Sequence, residues 1–120
     1  MENDKELLQE SLCAIALELF RFQQVFQKVL GKLTLEDQKK YRGQFSWFAG
    51  KVNRALEGAG LRLCSLEGQI YDPGMAVTPL NLDEFAEDEK LYILQMIEPI
   101  IMQEDRVFRM GTVVLGRCPQ

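Results

Sequence analysis

From Leu8 onward, apolar residues return at alternating steps of four and three: Leu8, Leu12, Ile15, Leu19, Phe22, Phe26, Val29 and Leu33. That rhythm predicts a helix. Cys13, Ala16, Phe20 and Leu30 widen the stripe beyond a two-stranded coiled-coil seam, so the helix should meet more than one neighbour. Gly31 marks its end. Thr34-Leu35-Glu36-Asp37 then offers a capping hydroxyl with an acid three residues on, the start signal of a second helix. In that helix Tyr41, Phe45, Phe48, Val52, Leu56 and Ala59 repeat the heptad rhythm, until Gly58 and Gly60 supply a stop. The short connection makes the two helices antiparallel neighbours. Two helices alone cannot enclose so wide a stripe. A second copy of the hairpin would complete a four-helix bundle, with Leu12, Ile15, Leu19, Phe22, Phe26, Phe45, Phe48 and Val52 at the homodimer interface.

After Gly60 the period changes. Leu61-Arg62-Leu63-Cys64-Ser65-Leu66 alternates apolar and polar, as a half-buried strand does. Glu67-Gly68 and Asp72-Pro73-Gly74 are turn signals, since proline presets one dihedral and glycine permits positive φ. Leu80 to Lys90 is acidic and reads as a short helix or a loop. From Leu91 to Leu115 the pattern predicts two or three antiparallel strands, with Gln103-Glu104-Asp105 as a turn. Pro99 confines its strand to an edge or a break, and Met110-Gly111 suggests a bulge. The tail from Gly116 is expected to fray. The fold class is therefore α+β: a helical dimerisation region over 1–60 and a small antiparallel β-domain over 61–120.

Composition narrows the function. Across 120 residues, 47% are hydrophobic and 27% charged, an ordinary globular balance that argues against wholesale disorder. A chain this short buries only about two thirds of its unfolded surface, so a partner subunit would help its stability. Lys and Arg number 14 against 18 Asp and Glu, a net charge of −4. Phosphate backbones and anionic lipid repel such a chain, so neither nucleic acid nor membrane is expected as a partner. There is no histidine, which removes the usual general base, the commonest metal ligand and every Ser-His or Cys-His nucleophile pair. Cys13, Cys64 and Cys118 are an odd set at wide spacings, which reads as reduced thiols in a cytoplasmic protein. The N-terminus lacks the basic start and apolar run of a signal peptide.

Few residues offer chemistry. The acidic run Asp83-Glu84 and Glu87-Asp88-Glu89 lacks the alternating ligands and central glycine of a calcium loop, so it reads as solvated surface. Gly58-Ala59-Gly60 follows a helix and carries no Lys-Ser/Thr, so it reads as a cap and not a phosphate loop. No metal, no cofactor and no enzymatic activity are expected. The informative pair is Arg106 and Arg109, three apart in an apolar strand and so on opposite faces under strict alternation. One could pair with an acid of the same domain, leaving the other to fork onto a partner's carboxylate.

Three segments carry a resemblance: Gly58-Ala59-Gly60-Leu61; then Gly68-Gln69-Ile70-Tyr71-Asp72-Pro73; then Arg106-Val107-Phe108-Arg109-Met110-Gly111-Thr112-Val113-Val114-Leu115. In order and spacing they resemble the GrpE family, the nucleotide exchange factors of bacterial Hsp70 (DnaK), from about residue 12 to 116. Where the family continues after Asp-Pro with His-Glu-Ala, this chain has Gly74-Met75-Ala76. Its Arg-Pro-Ala is Arg109-Met110-Gly111 here, and the long N-terminal stalk helix is missing or shortened. The resemblance implies a cochaperone that sets its β-domain against one lobe of an Hsp70 nucleotide-binding domain, favours the open cleft and so releases ADP. It implies Arg106 as the interface arginine, with Arg109 beside it, and Leu115 as the apolar contact near the strand's end. Asp72 and Pro73 would shape the turn that presents the sheet. The alternative is a non-catalytic homodimeric adaptor with no Hsp70 partner.

Overall fold

The joint at Thr34 forms as its residues dictate. In the computed structural model, which describes residues 2–119, Thr34 Oγ1 accepts the Asp37 N–H at 3.2 Å and caps the second helix. Helix α1 spans Glu2–Leu30 and α2 spans Leu35–Gly58. Glu36 and Asp37 lie in the first turn of α2, where carboxylates favour the helix dipole. Past Gly58 the chain leaves the helix through Gly60 at φ +77°, a conformation that costs other residues about 1 kcal/mol. Gln9 Nε2 donates to the Ala59 carbonyl at 3.1 Å, and the Phe26 and Phe45 rings stack at 5.3 Å. The start of α1 thus lies beside the end of α2 and its end beside the front half of α2, so the helices are antiparallel.

The chain divides into two compact units, Met1–Arg62 and Leu63–Gln120, with the division inside strand β1 (Leu61–Cys64). The remaining strands are β2 (Val77–Pro79), β3 (Leu91–Glu98), β4 (Ile100–Gln103), β5 (Arg106–Arg109) and β6 (Gly111–Arg117), with a 3-10 turn at Leu82–Glu84. They form two three-stranded sheets, ordered β1-β4-β5 and β2-β6-β3. The chain passes from one sheet to the other at two points. Pro99, fully buried, separates β3 from β4, and Met110 separates β5 from β6.

From Leu91 onward there are four strands where the pattern predicted two or three, and three further details differ from the pattern-based expectation. First, the sheets are not purely antiparallel, because β2 runs parallel to β6 with Val77 opposite Gly111. A three-residue strand between turns leaves too little periodicity to be recognised. Second, the break in the pairing of β5 lies between Val107 and Arg109, not at Met110-Gly111. Third, β6 continues through Arg117, and the Cys118 N–H donates to the Lys90 carbonyl at 3.1 Å, so the tail is tied down well past Gly116.

The β unit's core follows from its registers. In β6, Gly111, Val113 and Leu115 are buried in strict alternation. In β3 alternation alone would place Leu91, Ile93, Gln95 and Ile97 inward. Ile93 faces Leu115 and Gln95 faces Val114, so Leu94 is an extra residue that bulges outward at 52% exposure. The bulge turns Met96 into the core opposite Val113, and both are fully buried. Gly111 makes that packing possible. A Cβ there would lie 2.9 Å from both the Glu98 carbonyl oxygen and Met96 Cε.

Gly111→Ala should therefore push β3 from β6 and destabilise the β unit by about 1–3 kcal/mol, the usual cost of overpacking. Urea denaturation of the intact chain measures this. A midpoint unchanged from the parent would show that the close approach carries no stability.

Candidate functional site

β5 stands at the edge of its sheet, and its residues are mostly exposed. Arg109 Nη2 lies 3.7 Å from Glu98 Oε2, while Glu98 Oε1 accepts the Thr112 hydroxyl at 3.1 Å. Glu98 is thus fixed from both sides and orients Arg109 without covering it. With Arg109 half exposed, this pair contributes little stability, on the order of 0–1 kcal/mol. The Arg106 side chain is exposed and makes no hydrogen bond or ion pair among the described residues, while its backbone pairs with Gln103 in the β4–β5 ladder. Val107 and Met110, at 47% and 49% exposure, complete the strip. Because the β4–β5 register shifts between them, simple alternation no longer fixes Arg106 and Arg109 on opposite faces. The strip is an exposed, partly apolar strand edge that carries two arginines, Arg109 paired with Glu98 and Arg106 next to the exposed acids Glu104 and Asp105 of the turn.

The other residues singled out from sequence do not join this strip. Leu115 is only 2% exposed. Its N–H donates to Asn81 Oδ1 at 2.9 Å and its carbonyl accepts from Asn81 Nδ2 at 3.0 Å. It packs inside the β unit and presents no side chain to a docking surface. Asp72 and Pro73 are exposed in the turn preceding β2. Asp72 Oδ1 accepts the Gly74 N–H at 3.2 Å, and the Asp72 carbonyl accepts the Met75 N–H at 2.9 Å. Asp72 therefore shapes the turn, as an Asx residue does. This loop lies along β3: Ile70 bridges to Tyr92, and the Tyr71 N–H donates to the Leu91 carbonyl at 2.9 Å.

Beside that turn is a cavity of about 350 Å³ which sequence reasoning missed. Its apolar lining comes from Ile70, Tyr71 and Pro73, from Leu82 and Phe85, and from Leu91. The acidic run Asp83-Glu84 and Glu87-Asp88-Glu89 reads as solvated surface, and Leu82 and Phe85, three apart in that stretch, are the sequence's hint of an apolar wall. Arg117 completes the support: its guanidinium lies 5.0 Å from the Phe85 ring centroid, and its Nε donates to Glu89 Oε2 at 2.9 Å.

On the helical unit, the expected dimer residues separate into two sets. Ile15, Phe22 and Phe48 are exposed at 59%, 57% and 43%, while Leu12, Leu19, Phe26, Phe45 and Val52 are half-buried. Leu8, Ile15, Phe22 and Val29, seven residues apart, are all at least half exposed. Cys13, Ala16 and Leu17 are buried instead, so α1 carries apolar side chains on two faces. Rings at Phe22, Phe26, Phe45 and Phe48 form a continuous ladder, with successive centroids 6.1, 5.3 and 6.2 Å apart. All three cysteines are free thiols. No helix among the described residues is long and apolar enough to cross a membrane, and no cluster there could hold a metal ion.

No protein-family model, curated protein or solved structure matches this chain.

The clamp by Asn81 holds segment 80–90 against β6 and hence shapes the cavity. Asn81→Ala would leave the part-buried Leu115 N–H unpaired and should cost about 1–3 kcal/mol. Amide hydrogen exchange reads this locally: Leu115 protection should fall while Val113 in the same strand keeps most of its own.

Proposed function

We propose that this chain is a GrpE-like nucleotide exchange factor, a cochaperone that binds the nucleotide-binding domain of an Hsp70-type ATPase and promotes ADP release, acting as a homodimer. One observation carries the reading. The Arg-Val-Phe-Arg stretch, which resembles the family's closing strand, stands on an exposed sheet edge with the Arg106 side chain unpaired and Arg109 oriented by Glu98. The helical hairpin followed by a β unit also agrees with the family's layout.

The mechanism is binding energy spent on a partner's conformation. Arginine forks at the edge of β5 grip carboxylates of the ATPase in its open form better than in its closed form. Inverting a 1:99 closed-favouring equilibrium takes a difference of about 5.5 kcal/mol between the two forms. By reciprocity, bound nucleotide weakens the factor's own grip by the same coupling energy. This protein need not touch the nucleotide.

The dimer reading rests on the apolar stripe of α1. Leu8, Ile15, Phe22 and Val29 present a row that a second hairpin would cover, and Phe48 of α2 is exposed as well. A second functional reading, a homodimeric adaptor with no Hsp70 partner, is favoured by the burial of Leu115, which removes the family's apolar contact from the surface.

Release of fluorescent ADP from an Hsp70 of the same cell separates the two readings. Exchange activity accelerates release, and Arg106→Ala slows it by about tenfold or more, the worth of one charge-assisted contact. No acceleration at saturating concentration rejects exchange and leaves the adaptor. For the dimer, light scattering at micromolar concentration should give twice the chain mass. Phe22→Glu, at a site 57% exposed, should return a folded monomer; a parent chain already monomeric would defeat the bundle.

A further inference from the structure

The cavity beside the Asp72-Pro73 turn shares only Pro73 with the residues of the readings above; no residue of β5 or the helical stripe lines it. Its volume, about 350 Å³, accepts one large apolar side chain with part of its backbone, and lies at the small end of ligand sites. Both walls are preformed. On one side, backbone bonds tie Gly68, Gln69 and Tyr71 to β3 at 2.8–2.9 Å. On the other, Asn81 is clamped to β6 and Phe85 is covered by Arg117. Filling the cavity therefore requires little ordering, which favours affinity. Ile70 and Leu82 nevertheless stand 52% and 46% exposed at this site, an apolar surface left uncovered.

Charge identifies the occupant. Between Leu82 and Lys90 the segment carries Asp83, Glu84, Glu87, Asp88 and Glu89 with no basic residue among them. Glu89 is engaged by Arg117, while Asp83, Glu84, Glu87 and Asp88 are all exposed. Against these five acids stand only Lys90 and Arg117, the latter already paired with Glu89, so the surroundings of the cavity are net negative, and the lining is mostly apolar. A small amine bound within would meet Glu87 and Glu89 but also Lys90, all of which line the site. An occupant that uses both features must put an apolar group inside and positive charges several residues away. We infer that this cavity docks an extended segment of a partner protein, anchored by one large apolar side chain and flanked by Lys or Arg.

The experiment uses the full chain and fluorescence anisotropy. The probe is an array of labelled nonapeptides with a central Leu, Phe, Met or Trp and Lys or Arg on both sides. At least one member should bind. Replacing its central residue by Ser should weaken it by about tenfold, the loss of one buried anchor. Replacing its basic residues by Glu should abolish binding, and raising ionic strength from about 0.05 to 0.3 M should weaken it, as screened charges require. In the protein, Ile70→Ser with Leu82→Ser, both at exposed positions, should weaken binding about tenfold with an unchanged melting temperature. Asp83→Lys with Glu87→Lys should do the same while leaving the apolar lining almost intact. The inference is overturned if no member of the array binds, if the Ser-centred or acidic peptide binds equally well, or if binding ignores the Ile70 and Leu82 substitutions. None of these outcomes bears on ADP release, so the two proposals fail separately.

Discussion

Strand β6 has a neighbour on each side, and the β unit depends on that double pairing. β3 runs antiparallel along one edge, while β2, Leu80 and the Asn81 side chain line the other. Its inward residues, Gly111, Val113 and Leu115, are all buried, and Val113 and Leu115 pair across the sheet with the fully buried Met96 and Ile93 of β3. Removing a central strand would strand backbone donors and acceptors on both sides at once. The position nearest the crossing to β5 must be glycine, because the Glu98 carbonyl already occupies the space a methyl group would need.

That arrangement also explains how so short a stretch displays two different surfaces. By leaving one sheet at Pro99 and returning at Met110, the chain sends out the β4–β5 hairpin with its arginines. In the other sheet, the edge strand β3 carries the loop at 68–71, while Arg117 of β6 and the Cys118 amide hold the segment before β3 through Glu89 and Lys90. One surface is an exposed strand edge with two arginines and the other an apolar hollow with acids around it. The hairpin turn has its own cost: Glu104 sits at φ 55°, where non-glycine residues are disfavoured.

The helical unit works by a different rule. Its aromatic ladder from Phe22 to Phe48 joins the two helices, whereas Leu8, Ile15 and Val29 are left uncovered. An apolar row of this length on a surface is unusual for a monomer and is the physical reason a dimer is proposed. Gln9 shows the opposite case. It is a polar side chain within the buried set, and its amide reaches the Ala59 carbonyl at the end of α2, where helical carbonyls lack intrahelical donors.

Local signals were enough to read both helices, the Thr34 cap, the glycine stop and the turn at Asp72, and they narrowed Pro99 to an edge or a break. Each depends on residues within a few positions of one another. The paired and unpaired arginines were half legible: the sequence offered an acid for one of them, but only the fold chose Glu98 and Arg109. What local pattern could not supply were the parallel pairing of β2, the bulge at Leu94 that turns Met96 inward, the burial of Leu115 and the apolar walls at Leu82 and Phe85. All four arise from contacts between segments far apart in the chain. Periodicity reports which residues share a face, whereas the identity of what covers that face is settled only when distant strands meet.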